Sequence, residues 1–352
     1  MKKFILLFSL LPLISYSQYT AIPDQNFEQA LIDLGYDNVI DGQVLTANIN
    51  SISYLNVGFM NISNLTGIED FTSLTYLDCY GNQITNLDLS YNVALTYLEC
   101  WYNQLTNLDL SQNIDLTFLA CNNNQLTNLD LSQNTALTNL NCSTNPLESI
   151  DLSQNTALTD LSCVAIQITS LDLSHNTDLE LLDCYSNQLT SLDLSQSLAL
   201  NFLICDDNNL MCLNIQNGNN TNFLYLSAEN NPNLTCVEVD DLAWLAQNMI
   251  NFDAGVIFDT NCNYSSASGC NSTTIKEQTN SINLYPNPTN NLITLAIEGY
   301  NGSVNAEVYD LTGKLLQSTT NTTISMQEYA KGIYVFKVAY GDRAEKLKVV
   351  KE

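Results

Sequence analysis

A mainly β protein, a solenoid of parallel strands followed by a small C-terminal β-sandwich, is the fold class that three features of the sequence predict. From Leu74 to Asn220 the chain restarts every 21 residues, at Leu74, Leu95, Leu116, Leu137, Leu158, Leu179 and Leu200, on the pattern L-T-x-L-x-C-x-x-N-Q-L-T-x-L-D-L-S-x-N-x-x. A fixed period means one unit stacked on copies of itself, because a globular core draws its residues from scattered positions. Each unit is also doubled. Its halves, such as LTYLECWYN from Leu95 and LTNLDLSQN from Leu105, share L-T-x-L-x-[C/L]-x-x-N, so each can form a short strand and an Asn-stabilised turn. This predicts parallel strands in both halves of each 21-residue repeat, and LDLSQNTA is too short and too rich in Asn, Ser and Thr for an outer helix. The third feature is a change of pattern after 263–281, where the period gives way to short apolar runs broken by glycine.

In chain order, residues 1–17 (MKKFILLFSLLPLISYS) have two lysines, an apolar run and small residues before Gln18, as in a secretory signal peptide. That run is too short for a permanent transmembrane anchor, and no later segment reads as a transmembrane helix. Residues 18–51 read as an N-terminal cap, covering the apolar end of the first turn. In it Asp24 can cap a helix with Phe27, Leu31 and Leu34 on one face, Gly35 can end that helix, and Asp41-Gly42 turns into the first strand. The solenoid spans 52–241. Its first, 22-residue repeat (Ile52 to Ser73) sets Leu55 and Val57 in register with Leu77 and Cys79, and its last repeat, from Thr221, is degenerate, for about nine turns in all. Residues 242–262, with Trp244 and GVIF from Gly255, read as a C-terminal cap. Residues 263–281 have the composition of a linker. Residues 282–352 hold the β-like runs Leu292–Ile297, Ala306–Tyr309, Lys314–Gln317 and Ile333–Ala339, enough for a sandwich.

Two resemblances follow from these residues. The repeats resemble the leucine-rich repeat, L-x-x-L-x-L-x-x-N-x-L, with cysteine in its third apolar position. The tail resembles the type A C-terminal sorting domain of bacterial type IX secretion. Its matching residues are Tyr285, Pro286, Asn287 and Pro288; then Val308, Tyr309 and Asp310 with Gly313, Lys314 and Leu315; then Gly332, Ile333 and Tyr334; and finally Lys346, Lys348 and Lys351 within KLKVVK. This resemblance implies that the tail is read by the type IX secretion machinery in the outer membrane. It also implies that the passenger, exported through the periplasm, is released or left attached to the outer cell surface.

Seven cysteines fall in register, at Cys79, Cys100, Cys121, Cys142, Cys163, Cys184 and Cys205. Neighbours about 4.8 Å apart with parallel side chains do not suit a disulfide, which needs Cβ atoms about 3.5–4.5 Å apart. They are expected to be free and buried, and they lack the paired spacing of a zinc site. Cys212, Cys236, Cys262 and Cys270 lie outside the ladder, and in an exported protein they are bridge candidates, with Cys236 to Cys262 the first pairing expected.

The charge is lopsided. No lysine or arginine lies between Lys3 and Lys276, while the same stretch holds 29 Asp and Glu. Such a field repels nucleic acid and anionic lipid and attracts cations or basic partners, which excludes a nucleic-acid function. Asp88, Asp109, Asp130, Asp151, Asp172 and Asp193 share one position of the second half-turn. Either calcium bridges neighbouring carboxylates, or each accepts hydrogen bonds from its own turn; no D-x-D-x-D-G loop is present. Asn82, Asn103, Asn124, Asn145, Asn187 and Asn208 occupy the consensus Asn position and are structural, and Ile166 interrupts that row, predicting a local irregularity. The lone His175 reads as a solvated turn residue.

The repeats also differ usefully from one another. Their second half barely varies, as a scaffold would. Their first half carries Tyr76, Asp78, Tyr80, Tyr97, Glu99, Trp101, Tyr102 and Phe118 around the early cysteines. Such residues can stack on sugars or anchor a protein interface, and they can equally be ordinary strand residues covering their neighbours. No catalytic motif accompanies them. The sequence therefore predicts an exported, non-enzymatic protein whose repeat face binds a protein or glycan. The alternative is a passive structural or adhesive surface protein, with calcium as its one candidate cofactor.

Overall fold

The computed structural model describes residues 18–242, 250–262, 282–297, 303–310, 314–340 and 343–352. The signal peptide, the linker, Cys270, Gly313 and Trp244 lie outside the described residues. The chain forms two compact units, divided between Asn271 and Ser272.

In the first unit every repeat contributes one strand to a ten-stranded parallel sheet. The strands begin with Tyr54–Asn56, Tyr76–Asp78, Tyr97–Glu99 and Phe118–Ala120, continue through Asn139–Asn141, Asp160–Ser162, Leu181–Asp183 and Phe202–Ile204, and end with Tyr225–Ala228 and Ile250–Phe252. Register is strict: Tyr54, Tyr76, Tyr97, Phe118, Asn139, Asp160 and Leu181 pair in succession. A leucine in every strand but the last points inward, and Leu77, Leu98, Leu119, Leu161, Leu182 and Leu203 are wholly buried. Each such side chain contributes about 1.5–3 kcal/mol by leaving water.

The second halves form a sheet only late in the solenoid. Ser191–Asp193, Cys212–Asn214, Cys236–Glu238 and Ile257–Asp259 pair in parallel. Earlier turns follow the same path with only an isolated bridge between Asp88 and Asp109. The Asp carboxylate of each such half accepts from the backbone N–H two residues on, as Asp109 does from Ser111 and Asp193 from Ser195 at 3.0 Å each, so this bond closes the turn whether or not the sheet forms. Ile250–Phe252 and Ile257–Asp259 extend both sheets by a further turn, so the segment read as a cap is itself solenoidal.

Two internal files hold the turns together. The ladder cysteines are all free and buried. Beside them Asn103 donates to the carbonyls of Cys79 and Cys100 at 3.0 and 3.1 Å and accepts from Ile84 N at 3.0 Å, and Asn82, Asn124, Asn145, Asn187 and Asn208 bond their own turns in the same way. At Ile166 the file is broken, and left-handed residues appear nearby at Glu148 and Gln167, the expected irregularity. A second Asn file, Asn92, Asn113, Asn134, Asn155 and Asn176, is wholly buried in the other half-turn.

Burial pushes the ladder thiols far up, that of Cys142 to about 12, so at neutral pH they carry no nucleophilic thiolate. The expected result is that a thiol reagent leaves the seven ladder cysteines of the native protein untouched and titrates all seven once denaturant is added, in non-reducing buffer. Prompt labelling of the folded protein would contradict this.

The N-terminal cap forms as the sequence suggests. Asp24 caps the helix Gln25–Asp33, accepting from Asn26 N and Phe27 N, and its other oxygen accepts from Ser63 N, Ser63 Oγ and Asn64 N. Burial works against its charge, but these hydrogen bonds outweigh it and hold the carboxyl below the usual value. Phe27 and Leu31 are buried, Leu34 is 41% exposed, and Gly35 ends the helix in the left-handed region. At the other end Cys236 and Cys262 are disulfide-bonded, and Cys212 is also in a disulfide.

The second unit has two antiparallel sheets. One is Ile282–Tyr285, Leu292–Ile297 and Thr323–Ser325; the other is Leu315–Thr319, Val304–Tyr309, Gly332–Tyr340 and Arg343–Lys351. Ile293, Leu295, Val308, Phe336, Val338 and Val349 are among the residues of its own buried core.

Candidate binding face

The outward positions of the ten-stranded sheet bring together all eight residues singled out in the early repeats. Stacking sets them in files. Tyr54, Tyr76, Tyr97 and Phe118 lie ring on ring, with centroids 4.4, 4.3 and 4.1 Å apart. A second file follows the cysteines: Tyr80 stacks on Trp101 at 4.5 Å, with Phe59 edge-on to Tyr80 and Tyr102 edge-on to Trp101. Asp78 and Glu99 occupy the strand position between the two files.

Glu99 ties the files together. One carboxylate oxygen accepts from Tyr97 Oη and the other from Trp101 Nε1 at 3.0 Å. Asp78 is only 4% exposed, accepting from Asn56 Nδ2 at 2.9 Å and Tyr80 N at 3.2 Å. Burial, and then the charge of Glu99, raise its carboxyl to about 6 despite the bond from Tyr80 N. Burial and the neighbouring carboxylates also raise Tyr76, and burial with the bond to Glu99 raises Tyr97.

This sets a sign for pH dependence. The folded state holds the Asp78 proton more tightly than the unfolded chain, so stability falls as pH rises from about 4 to about 6, and the full penalty stands above that. Asp78→Asn should match the parent below about pH 4 and exceed it at pH 7.5 by about 1–2 kcal/mol, allowing for solvent screening. Urea midpoints at the two pH values test this, and an equal difference at both would contradict it.

Three residues were missed. Tyr54, Phe59 and Asn56 belong to the same face, with Tyr54 and Phe59 55% and 67% exposed. The register of Leu55 with Leu77 could have found Tyr54, whose partner is Tyr76. The same register sets Phe59 with Gly81 and Tyr102, a left-handed turn position continued at Asn123, so it could have been found from Tyr102. Two glycines make room for the rings. A Cβ on Gly58 would come within 2.4 Å of the Tyr80 ring, and one on Gly81 within 2.5 Å of the Phe59 ring.

The second-half Asp row is arranged differently. Asp88, Asp109, Asp130, Asp151, Asp172 and Asp193 each accept from the N–H of the Ser two residues on, at 2.9–3.0 Å. Those bonds hold the first five carboxyls below their usual value. Shallow grooves of about 270–400 Å³ run between these turns, lined by Asn, Asp, Ser and Gln together with Leu87, Leu108 and Leu129. Among the described residues no three His, Cys, Asp or Glu cluster as metal ligands. His175 is exposed beside Ser174 Oγ at 3.1 Å.

In the tail the structure joins the first and last sorting blocks. Asn287 Nδ2 donates to Lys348 O at 2.8 Å, its Oδ1 accepts from Val350 N at 2.9 Å, and Thr289 N donates to Val350 O at 2.8 Å. Tyr285, Pro286 and Pro288 thus sit beside the last strand, Gly332–Tyr340 pairs along that strand, and Tyr334 Oη donates to Ala330 O at 2.7 Å. Lys314 N closes the Asp310 turn at 3.0 Å.

Stacked L-x-x-L-x-L turns with one strand each, an Asn file and a cysteine file define a leucine-rich repeat solenoid. Residues 283–352 match the family described as "Secretion system C-terminal sorting domain". The tail therefore marks the protein for export, to the cell surface or the medium, and engages the secretion machinery. The solenoid is similar to the functional domain of InlJ from Listeria monocytogenes, described as including a cysteine ladder, at 32% identity and a TM-score of 0.55. That match covers 69% of this chain and 63% of the InlJ domain. The internalins InlF and InlC2 of Listeria monocytogenes share the fold, at 24% and 20% identity and TM-scores of 0.57 and 0.50. These matches cover 68% of this chain in each case, and 71% and 100% of the other chain. No curated protein matches the sequence. Among the described residues no helix is long and apolar enough to cross a membrane.

Proposed function

We propose that this is a non-enzymatic recognition protein whose first-half face binds a protein or glycan after type IX export. The observation that carries this reading is Glu99 holding both Tyr97 and Trp101. The core needs neither ring, yet both are fixed in place on an outward face, and rigid amphipathic aromatics are what binding surfaces use. The shallow groove between the second-half turns is lined by residues such as Asn86, Asp88, Asn107 and Asp109, none of them on this face. The purified exported protein should bind specific members of a glycan and extracellular-protein array. Tyr97→Ala, Trp101→Ala and Tyr102→Ala together should abolish that signal with the fold intact. No signal, or signal indifferent to the triple variant, would sink the reading.

One observation favours the alternative of a passive structural or adhesive protein. The rings of the first file cover one another, as a ladder built only for stacking would. Concentration-dependent self-association that survives the triple variant would support it. Calcium bridging of the Asp row belongs to the same reading. The Ser N–H bonds already supply each carboxylate with a partner, so we expect the same melting temperature in calcium and in chelator.

A further inference from the structure

Stacking settles which chemistry the face can offer. A sugar ring packs on the flat of an aromatic ring, but here the flats are used on one another, at centroid separations of 4.1–4.5 Å in both files. What remains toward solvent is ring edges, phenol oxygens and carboxylates. The rest of the sheet face continues in the same sense. Asp160 and Asp183 follow on the outward strand positions, and Asp206 and Glu229 follow the cysteine file. No lysine or arginine between Lys3 and Lys276 can pair with any of them.

The two acidic rows of the solenoid also contrast. Both rows accept from the backbone N–H two residues on, from Ser on the second half and from Tyr80 and Tyr185 on the first, so they differ in burial and neighbouring charge. On the first half, Asp78 lies between Glu99 and a neutral amide, and Asp183 lies near Asp206, whose carboxylate accepts from Ser227 Oγ at 2.6 Å. Burial first, and then like charge, raise both Asp78 and Asp183, whereas the Asp109 and Asp130 carboxyls are lowered. A bound cation would relieve the first row and has little to offer the second.

We propose that the partner is a protein segment rich in arginine and lysine, its aliphatic stems lying over the ring edges of Tyr97 and Trp101 and its head groups meeting the Glu99 carboxylate, with the buried Asp78 charge beneath adding to the attraction. Long cationic side chains combine the two properties that this face pairs, an apolar stem and a donor-rich tip. Guanidinium groups can engage a carboxylate that already holds two neutral donors, because each carboxylate oxygen keeps a further lone pair. The large negative field of the solenoid steers such a segment in.

The inference rests on the reading of this face as a recognition surface, and the test separates the two. The exported full-length protein is titrated with a labelled peptide of alternating arginine and serine, and with the same peptide carrying glutamate for arginine. We expect the basic peptide alone to bind, with affinity falling as salt rises. Asp78→Asn with Glu99→Gln should weaken it about tenfold or more, while the charge-matched pair Asp130→Asn with Asp151→Asn should leave it within about twofold. Equal losses from both pairs would reduce the effect to net charge and overturn the proposal, as would no binding of the basic peptide. If the array partner proves neutral yet is lost on replacing Tyr97 and Trp101, recognition stands and the basic segment falls.

Discussion

Replacing Asn124 by alanine is expected to destabilise the solenoid by about 3 kcal/mol, although the residue touches no ligand position. Its side chain donates to Cys100 O and Cys121 O at 3.0 Å each and accepts from Leu105 N at 3.0 Å, and it is almost wholly buried. Alanine would strand the Leu105 N–H and leave each carbonyl with one fewer donor, a loss water cannot make good inside the turn. Because stacked repeats depend on their nearest neighbours, the damage should reach the turns on either side. The urea midpoint measures it, with the exposed Asn107→Ala as control, expected within about 0.5 kcal/mol of the parent. Similar losses from the two variants would show that the Asn file is not what joins the turns.

A second large effect is expected at the cap. Glu28 is fully buried, and its Oε1 accepts from the N–H groups of Asp41, Gly42 and Gln43 at 2.8, 2.6 and 3.1 Å. It pins the turn that starts the strand Gln43–Leu45, whose partner Tyr19–Ala21 closes the end of the solenoid. Glu28→Ala would remove the buried acceptor that gathers three N–H groups of this exposed turn, for an expected loss of about 2–3 kcal/mol, and would loosen the cap over the apolar end of the first turn. Glu28→Gln keeps an acceptor of the same shape and should recover most of the loss. Hydrogen exchange should show the opening confined to the cap at first, since local units of a solenoid open separately. If alanine and glutamine variants are equally unstable, the charge rather than the acceptor geometry is what matters there.

The aromatic face bears on how such a protein works outside the cell. Rings locked by stacking and by Glu99 lose little freedom on binding, so the entropy of ordering the surface is met during folding. The near-neutral titration of Asp78 lies beneath that surface, so the charge offered to a basic partner increases as pH rises through about 6. Association should therefore be stronger above that pH than below it.

Sequence alone was enough for the period, the inward leucine and cysteine, the free ladder thiols, the Asn file with its break at Ile166, the Asp24 cap and the sorting blocks. Each depends on spacing, and a stacked repeat turns spacing along the chain directly into position in space. The eight aromatic and acidic face residues were legible for the same reason, and so was Tyr54 once register is extended to the first repeat. What only the tertiary structure decided is how neighbours in the stack treat one another. Ring faces turned inward on each other, Glu99 shared between two files, Asn287 clamped to the last strand, and second halves that pair only from Ser191 onward are all contacts between turns or sheets. They depend on side-chain rotation and on competing hydrogen bonds, and a repeat pattern, being the same in each copy, carries no record of which of these wins.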